Sequence, residues 1–131
     1  MAQIVITEFD KERILQLLTK KKPHDEYDKA LSAELDKAKV VEQADIPADC
    51  ITMNSQIKLE DSDGKERVYW LVFPEDADVL ENKISILSPV GCALLGYGTG
   101  DTVTVPTPQG SKELTVKAVL SQPEREGNYS L

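Results

Sequence analysis

Ser88-Pro89-Val90-Gly91-Cys92-Ala93-Leu94-Leu95-Gly96 is a very short helix with both of its ends written into it. Ser88 supplies a side-chain acceptor for the orphan amides of a first turn, and Pro89 fits the first helical position. Gly96 closes the helix by taking the left-handed conformation. Gly91 leaves backbone bare inside it, so that another element can come close. Ile84-Ser85-Ile86-Leu87 before it and Thr102-Val103-Thr104-Val105 after it are β-like, with Tyr97-Gly98-Thr99-Gly100-Asp101 as the turn between. The helix is therefore expected to pack across the sheet that holds its two flanks.

Outward from this stretch, the chain from Cys50 onward reads as strands. Ile51, Met53, Ser55, Ile57 and Leu59 alternate with Thr52, Asn54, Gln56, Lys58 and Glu60, a period of two with one wet face. Asp61-Ser62-Asp63-Gly64 is a hairpin turn, with Asp63-Gly64 the pair suited to positive φ. The same residues lack the later ligands of a calcium loop, above all a closing Glu. Val68-Tyr69-Trp70-Leu71-Val72-Phe73 is apolar on both faces and is expected to be the central, doubly covered strand, stopped by Pro74. Leu114, Val116, Ala118 and Leu120 form one face of a last strand. The tail from Pro123 to Leu131 is polar and expected to be loose, except where Tyr129 and Leu131 dock.

Upstream the pattern is helical. Ile4-Val5-Ile6 is a short strand that runs into Thr7 and Asp10, spaced as in a capping box with Asp in place of Glu. Ile14, Leu15, Leu17 and Leu18 then make an apolar stripe, ending near Lys20 because Pro23 disfavours helix before it. A second helix is expected from about Asp25 to about Val40. Its apolar face is Tyr27, Leu31, Leu35 and Ala38, and Asp28, Lys29, Ser32, Asp36 and Lys37 point elsewhere. Two such helices joined by a short polar turn fold back as an antiparallel hairpin, with an arm about 24 Å long. Glu42 to Asp49 is a linker in which Pro47 forbids helix. The sum is an α+β protein: a short N-terminal antiparallel helical hairpin, then an antiparallel sheet crossed by one short helix.

Composition narrows the function. A chain of 131 residues is large enough for a proper core without staples. No apolar run approaches the roughly 20 residues of a membrane span, and no signal peptide is visible at the start. Cys50 and Cys92 are far apart, without a CxxC pair, and read as free buried thiols in a reducing cytoplasm, with a single disulfide as the alternative. The formal net charge of −8 speaks against a stand-alone nucleic-acid binder, because phosphate neutralisation needs clustered Lys and Arg. Lys20-Lys21-Lys22 is the one basic cluster and lies in the turn between the helices, where a solvated loop explains it.

Cys50-Ile51-Thr52-Met53-Asn54-Ser55, the Ser88–Gly96 run, Gly100-Asp101 and Ala30-Leu31-Ser32-Ala33-Glu34-Leu35-Asp36-Lys37-Ala38 together resemble the Rnk family, relatives of the Gre transcript-cleavage factors. The resemblance covers nearly the whole chain. It implies a short coiled-coil hairpin over residues 1–45 and a Gre-type, FKBP-like domain over residues 46–131. It also implies a cytoplasmic, non-catalytic transcription regulator that binds RNA polymerase beside the secondary channel and competes with Gre-type factors. In Gre factors an Asp-Ser-Pro stretch before the short helix contributes to docking; Ser88 and Pro89 match it, and Leu87 replaces the acid. Ser88 and Pro89 are thus the expected partner-binding residues.

Chemistry finds less support. Gre factors use carboxylates at the tip of a long hairpin to hold a metal ion in the polymerase active site, a two-metal arrangement for attack on a phosphodiester. Asp25, Glu26 and Asp28 near the turn are the residues that would do this here. Acids at a helix N-terminus are favoured by the dipole in any case, and an arm of about 24 Å is much shorter than the hairpin of the cleavage factors. His24 stands beside Asp25 and Glu26, but consecutive residues do not converge on one metal ion. Neither cysteine has an evident His partner for nucleophilic catalysis, and Gly96, Gly98 and Gly100 lack the strand-turn-helix context of a phosphate loop. Prolyl isomerisation, the other enzymatic alternative, needs an aromatic-lined pocket, whereas Tyr69, Trp70 and Phe73 are packed in one strand. No catalytic residue, metal or cofactor is expected.

Overall fold

A computed structural model describes residues 4–20, 26–107 and 110–127. Strand β1 (Val5–Thr7) turns directly into helix α1 (Glu8–Lys20), with the Asp10 N–H donating to Thr7 Oγ1 at 3.0 Å as the capping spacing predicts. Helix α2 (Glu26–Lys37) packs against α1 and ends before β2 (Lys39–Val41). The expected helix to Val40 is thus too long. The Lys39 N–H donates to the Ile4 carbonyl at 2.8 Å, and β2 pairs in parallel with β1, placing Ile6 opposite Val40. The β-branched pair Val40-Val41 favours this ladder over further helix.

A five-stranded sheet follows, in the order β5-β4-β3-β7-β6. Its members are β3 (Gln56–Asp61), β4 (Glu66–Val72), β5 (Lys83–Ser85), β6 (Thr102–Thr107) and β7 (Gly110–Ser121). Helix α3 (Pro89–Leu94) packs between β5 and β6. Two expectations change. The central strand is β3, because the doubly apolar β4 lies next to a three-residue edge strand and is only half-buried along Val68-Tyr69-Trp70. The sheet is mixed, because β5 runs parallel to β4.

The turn into β4 forms at Asp61–Gly64, where the Gly64 N–H donates to the Asp61 carbonyl at 3.0 Å. Gly64 takes positive φ (83°) and Asp63 does not, so the loop is a turn closed by a glycine bulge rather than a two-residue hairpin. Register shifts between β3 and β7 pair Leu59 with Val116 but Lys58 with Ala118 and Ile57 with Val119. These bulges switch the buried face along β7. Leu114 and Val116 point inward as expected, but beyond the bulge Val119 is buried and Leu120 is 45% exposed.

One apolar cluster joins the two ends of the chain. Ile14 and Leu18 from α1 and Leu31 and Leu35 from α2 pack with Ile51, Met53, Ile57, Leu71, Ile86 and Leu94. The helices therefore share the core of the sheet. Residues 123–127, expected to be loose, form turns in which Pro123 and Glu124 are buried; Tyr129 and Leu131 lie outside the described residues.

Candidate docking site around helix α3

The start of α3 is built on the carbonyl of Ser85. The Ser88 N–H donates to it at 3.0 Å and Ser88 Oγ at 2.7 Å. Ser85 Oγ accepts the Leu87 N–H at 3.0 Å, which fixes the bend out of β5. Ser88 Oγ in turn accepts the Gly91 N–H at 3.1 Å, so Ser88 caps the helix while Pro89 opens it, as the sequence predicts. Gly91 is required by contact rather than by backbone angle. A Cβ there would lie 2.0 Å from the Ser85 oxygen, far inside any real separation.

The other end of α3 is tied to the N-terminal strand. Gly96 takes φ +86°, and a Cβ on it would fall 2.5 Å from that of Ile4. The Val5 N–H donates to the Gly96 carbonyl at 3.3 Å, and the Gly96 N–H to the Ile51 carbonyl at 3.0 Å. Cys50 Sγ donates to the Val5 carbonyl at 3.2 Å in the same junction. Burial there pushes the Cys50 thiol up to about 12, so it is a packed, inert thiol.

Between α2, α3 and β6 runs an open groove of about 510 Å³. Pro89, Cys92 and Ala93 form one wall, and Glu26, Ala30 and Glu34 the opposite one. Tyr97 also lines it, its hydroxyl pushed up first by burial and then by the Glu34 and Asp101 charges. The groove is apolar at its base with an acidic edge.

The structure distributes the other expected site residues. Ser88 and Pro89 are both half-buried, but the Ser88 hydroxyl is already engaged by Ser85 and Gly91, which leaves Pro89 as the more available of the two. Leu87, where the cleavage factors carry an acid, packs partly buried against the core. Glu26 is exposed on the groove, whereas Asp28 is only 2% exposed. The expectation that Asp28 points away from the apolar face of α2 fails, because it shares the buried stripe with Leu31 and Leu35. Asp25 and His24 lie outside the described residues. Among the described residues no three His, Cys, Asp or Glu side chains gather as a metal site. Tyr69 and Trp70 are successive in β4 and face opposite ways, and Phe73 stacks on Arg13, so these aromatics do not line one pocket.

A second polar centre escaped the sequence reading. Asp10, on the buried stripe with Ile14 and Leu18, accepts a charge-assisted hydrogen bond from Arg13 and the Met53 N–H at 3.1 Å. The Arg13 guanidinium lies 3.9 Å from the centre of the Phe9 ring and 4.8 Å from that of Phe73. Thr52 Oγ1 donates to Glu124 Oε1 at 2.8 Å, and the Thr52 N–H donates to Ser55 Oγ at 3.0 Å. Burial raises both carboxyls above their ordinary values, against the lowering pull of Arg13 and Met53 on Asp10 and of Thr52 on Glu124. The centre holds elements together; it is closed rather than presented to a ligand. The four-residue spacing Asp10-Ile14-Leu18 is the signal that could have revealed it.

Comparison with known proteins agrees with this geometry. Residues 3–41 match the family described as Rnk N-terminus, and residues 46–121 the family described as transcription elongation factor GreA/GreB, C-term. The regulator of nucleoside diphosphate kinase of Escherichia coli (strain K12) is 40% identical over 104 residues, 78% of this chain and 76% of that protein. This chain belongs to the Rnk family. Its C-terminal part also places this Rnk-family chain among GreA/GreB-like transcription factors. A transcription elongation factor GreA of Clostridium novyi (strain NT) is 39% identical over 80 residues, 60% of this chain and half of that protein (50%). The solved GreA/GreB elongation factor from Nitrosomonas europaea shares the fold with a TM-score of 0.80 at 36% identity, over 92% of this chain and all of that one (100%).

Proposed function

We propose that this Rnk-family protein is a non-catalytic regulator that binds RNA polymerase near the rim of the secondary channel and competes there with Gre-type factors. The observation that carries this reading is the Ser85–Ser88–Gly91 lock, which holds Pro89 at the mouth of an open groove in a domain matched to the GreA/GreB C-terminal family. In this reading residues 1–45 form a short antiparallel hairpin and residues 46–131 an FKBP-like domain, acting in the cytoplasm.

Two features favour binding over chemistry. Helices of 13 and 12 residues give arms of about 20 and 18 Å, shorter still than the sequence suggests. Of the acids that would hold a catalytic metal ion, Asp28 is packed away. Transcript cleavage and prolyl isomerisation are therefore the weaker readings, the second because Tyr69, Trp70 and Phe73 form no common pocket.

Equilibrium titration of core RNA polymerase with labelled protein tests the reading. Pro89→Glu leaves the Ser88 cap intact and puts an acid where the helix dipole tolerates it. The expected result is saturable binding by the wild type and at least tenfold weaker binding by the variant. Equal affinities would remove the role of Pro89, and no binding by the wild type would overturn the reading.

A further inference from the structure

The docking site leaves one conspicuous surface unused. Between β4 and β5 the chain makes an exposed loop whose tip is Val79-Leu80, 90% and 95% exposed, against 45% for Leu120, the next large apolar side chain among the described residues. Apolar side chains this open are ordinary on a floppy loop. This loop is not built as one. Its base is closed by a pair of bonds, the Asp78 N–H to the Lys83 carbonyl at 3.1 Å and the Lys83 N–H to the Asp78 carbonyl at 2.9 Å.

Within that ring the backbone satisfies itself. Asp78 Oδ1 accepts the Leu80 N–H at 3.0 Å, the Asp78 carbonyl accepts the Glu81 N–H at 3.1 Å, and the Val79 carbonyl accepts the Asn82 N–H at 3.2 Å. Asn82 closes the turn in the left-handed region at φ 57°. Val79 and Leu80 are thus presented on a preformed turn, so little conformational freedom remains to be lost on docking.

The surroundings state the chemistry of the partner. Glu75, Asp76, Asp78 and Glu81 are all exposed, and no Lys or Arg lies between Pro74 and Asn82. An apolar tip inside an acidic collar fits a hydrophobic pocket with a basic rim. It suits a second copy of this chain poorly, because collar would meet collar in a protein of net charge −8. The loop and the docking site lie at the two ends of edge strand β5, whose three residues span about 10 Å. A protein interface of ordinary size, about 800 Å² a side, is wider than the strand that joins them.

We propose that Val79 and Leu80 are a second anchor, inserted into an apolar pocket rimmed by Lys and Arg on the polymerase surface that Pro89 contacts. This rests on the polymerase reading above. The test is the binding of core RNA polymerase by the full chain and by V79S/L80S. Both side chains are exposed, so the double variant should melt as the wild type does. Its dissociation constant should rise about tenfold or more, mainly through faster dissociation. E75Q/D76N/E81Q should instead slow association several-fold and flatten its salt dependence. Equal affinity of V79S/L80S and wild type would overturn the anchor and leave the polymerase reading standing. Failure of the wild type to bind would overturn both. A concentration-dependent dimer abolished in V79S/L80S would show that the tip serves self-association, and would also overturn the proposal.

Discussion

The carboxylate of Asp10 in α1 accepts the backbone N–H of Met53 at 3.1 Å, across 43 residues of sequence. Glu124 holds the neighbouring residue, Thr52, at 2.8 Å. The loop that leads into the central strand is therefore gripped by a carboxylate from the first helix and by another from the C-terminal turns. This grip fixes the helical part of the molecule on the sheet.

Asp10→Ala should destabilise the protein by about 3 kcal/mol, because it strands a buried N–H and leaves Arg13 without its buried carboxylate. Chemical denaturation at neutral pH measures this. A loss below about 1 kcal/mol would mean that the loop re-forms its bonds without Asp10.

Glu124 carries a pH dependence of definite sign. Burial raises its folded pKa above the ordinary 4.5, so the stability due to the protonated form is full below about pH 4.5. That stability is lost as pH rises through the raised folded value. Asp10 acts in the same direction from its ordinary 3.8. Asp61, whose carboxyl is lowered by the Lys65 and Asp63 amides, acts oppositely, its contribution vanishing as pH falls below 3.8 through its folded value. Glu124→Gln keeps the acceptor for Thr52 and removes the charge. Its melting temperature should match the wild type near pH 4 and exceed it near pH 8. A variant less stable than wild type at pH 8 would reverse the sign.

Gly91→Ala and Ser88→Ala separate space from capping at α3. The first drives a methyl into the Ser85 carbonyl, and should cost about 3 kcal/mol or prevent folding. The second removes a cap and should cost about 1 kcal/mol. Thermal melts of both variants give the order; equal losses would mean that β5 yields to the methyl.

The bulged end of β7 makes a paired prediction. Val119→Ala should cost about 2 kcal/mol because Val119 is in the core, whereas Leu120→Ala should change stability by less than about 0.5 kcal/mol. The reverse ranking would restore the unbroken alternation that the sequence suggests.

Much of this molecule was legible because its signals are local. Ser88, Pro89 and Gly96 specify the ends of α3 through local backbone chemistry, and Thr7 specifies the start of α1 in the same way. The misreadings come from long-range pairing. Nothing near Val40 announces β1 as its partner, and nothing in the apolar run around Trp70 shows that a three-residue strand would cover its edge. Lys117 and Leu120 give no local sign of a register shift that depends on β3. Asp10 reads only as a capping partner of Thr7, and Asp28 as a residue off the apolar face, because carboxylates are seldom buried. Only the folded chain supplies Met53 as the partner for Asp10 and shows Asp28 on the packed stripe of α2. At the candidate docking site the residue types were readable, but the engagement of the Ser88 hydroxyl by Ser85 was not.

Displacement from core RNA polymerase tests the central claim most directly. Labelled protein bound to core enzyme is titrated with a GreA factor and the remaining complex is measured. Competition for one rim site predicts full displacement, with the apparent dissociation constant rising in proportion to GreA concentration. A ternary complex that keeps the labelled protein bound at saturating GreA would contradict the account.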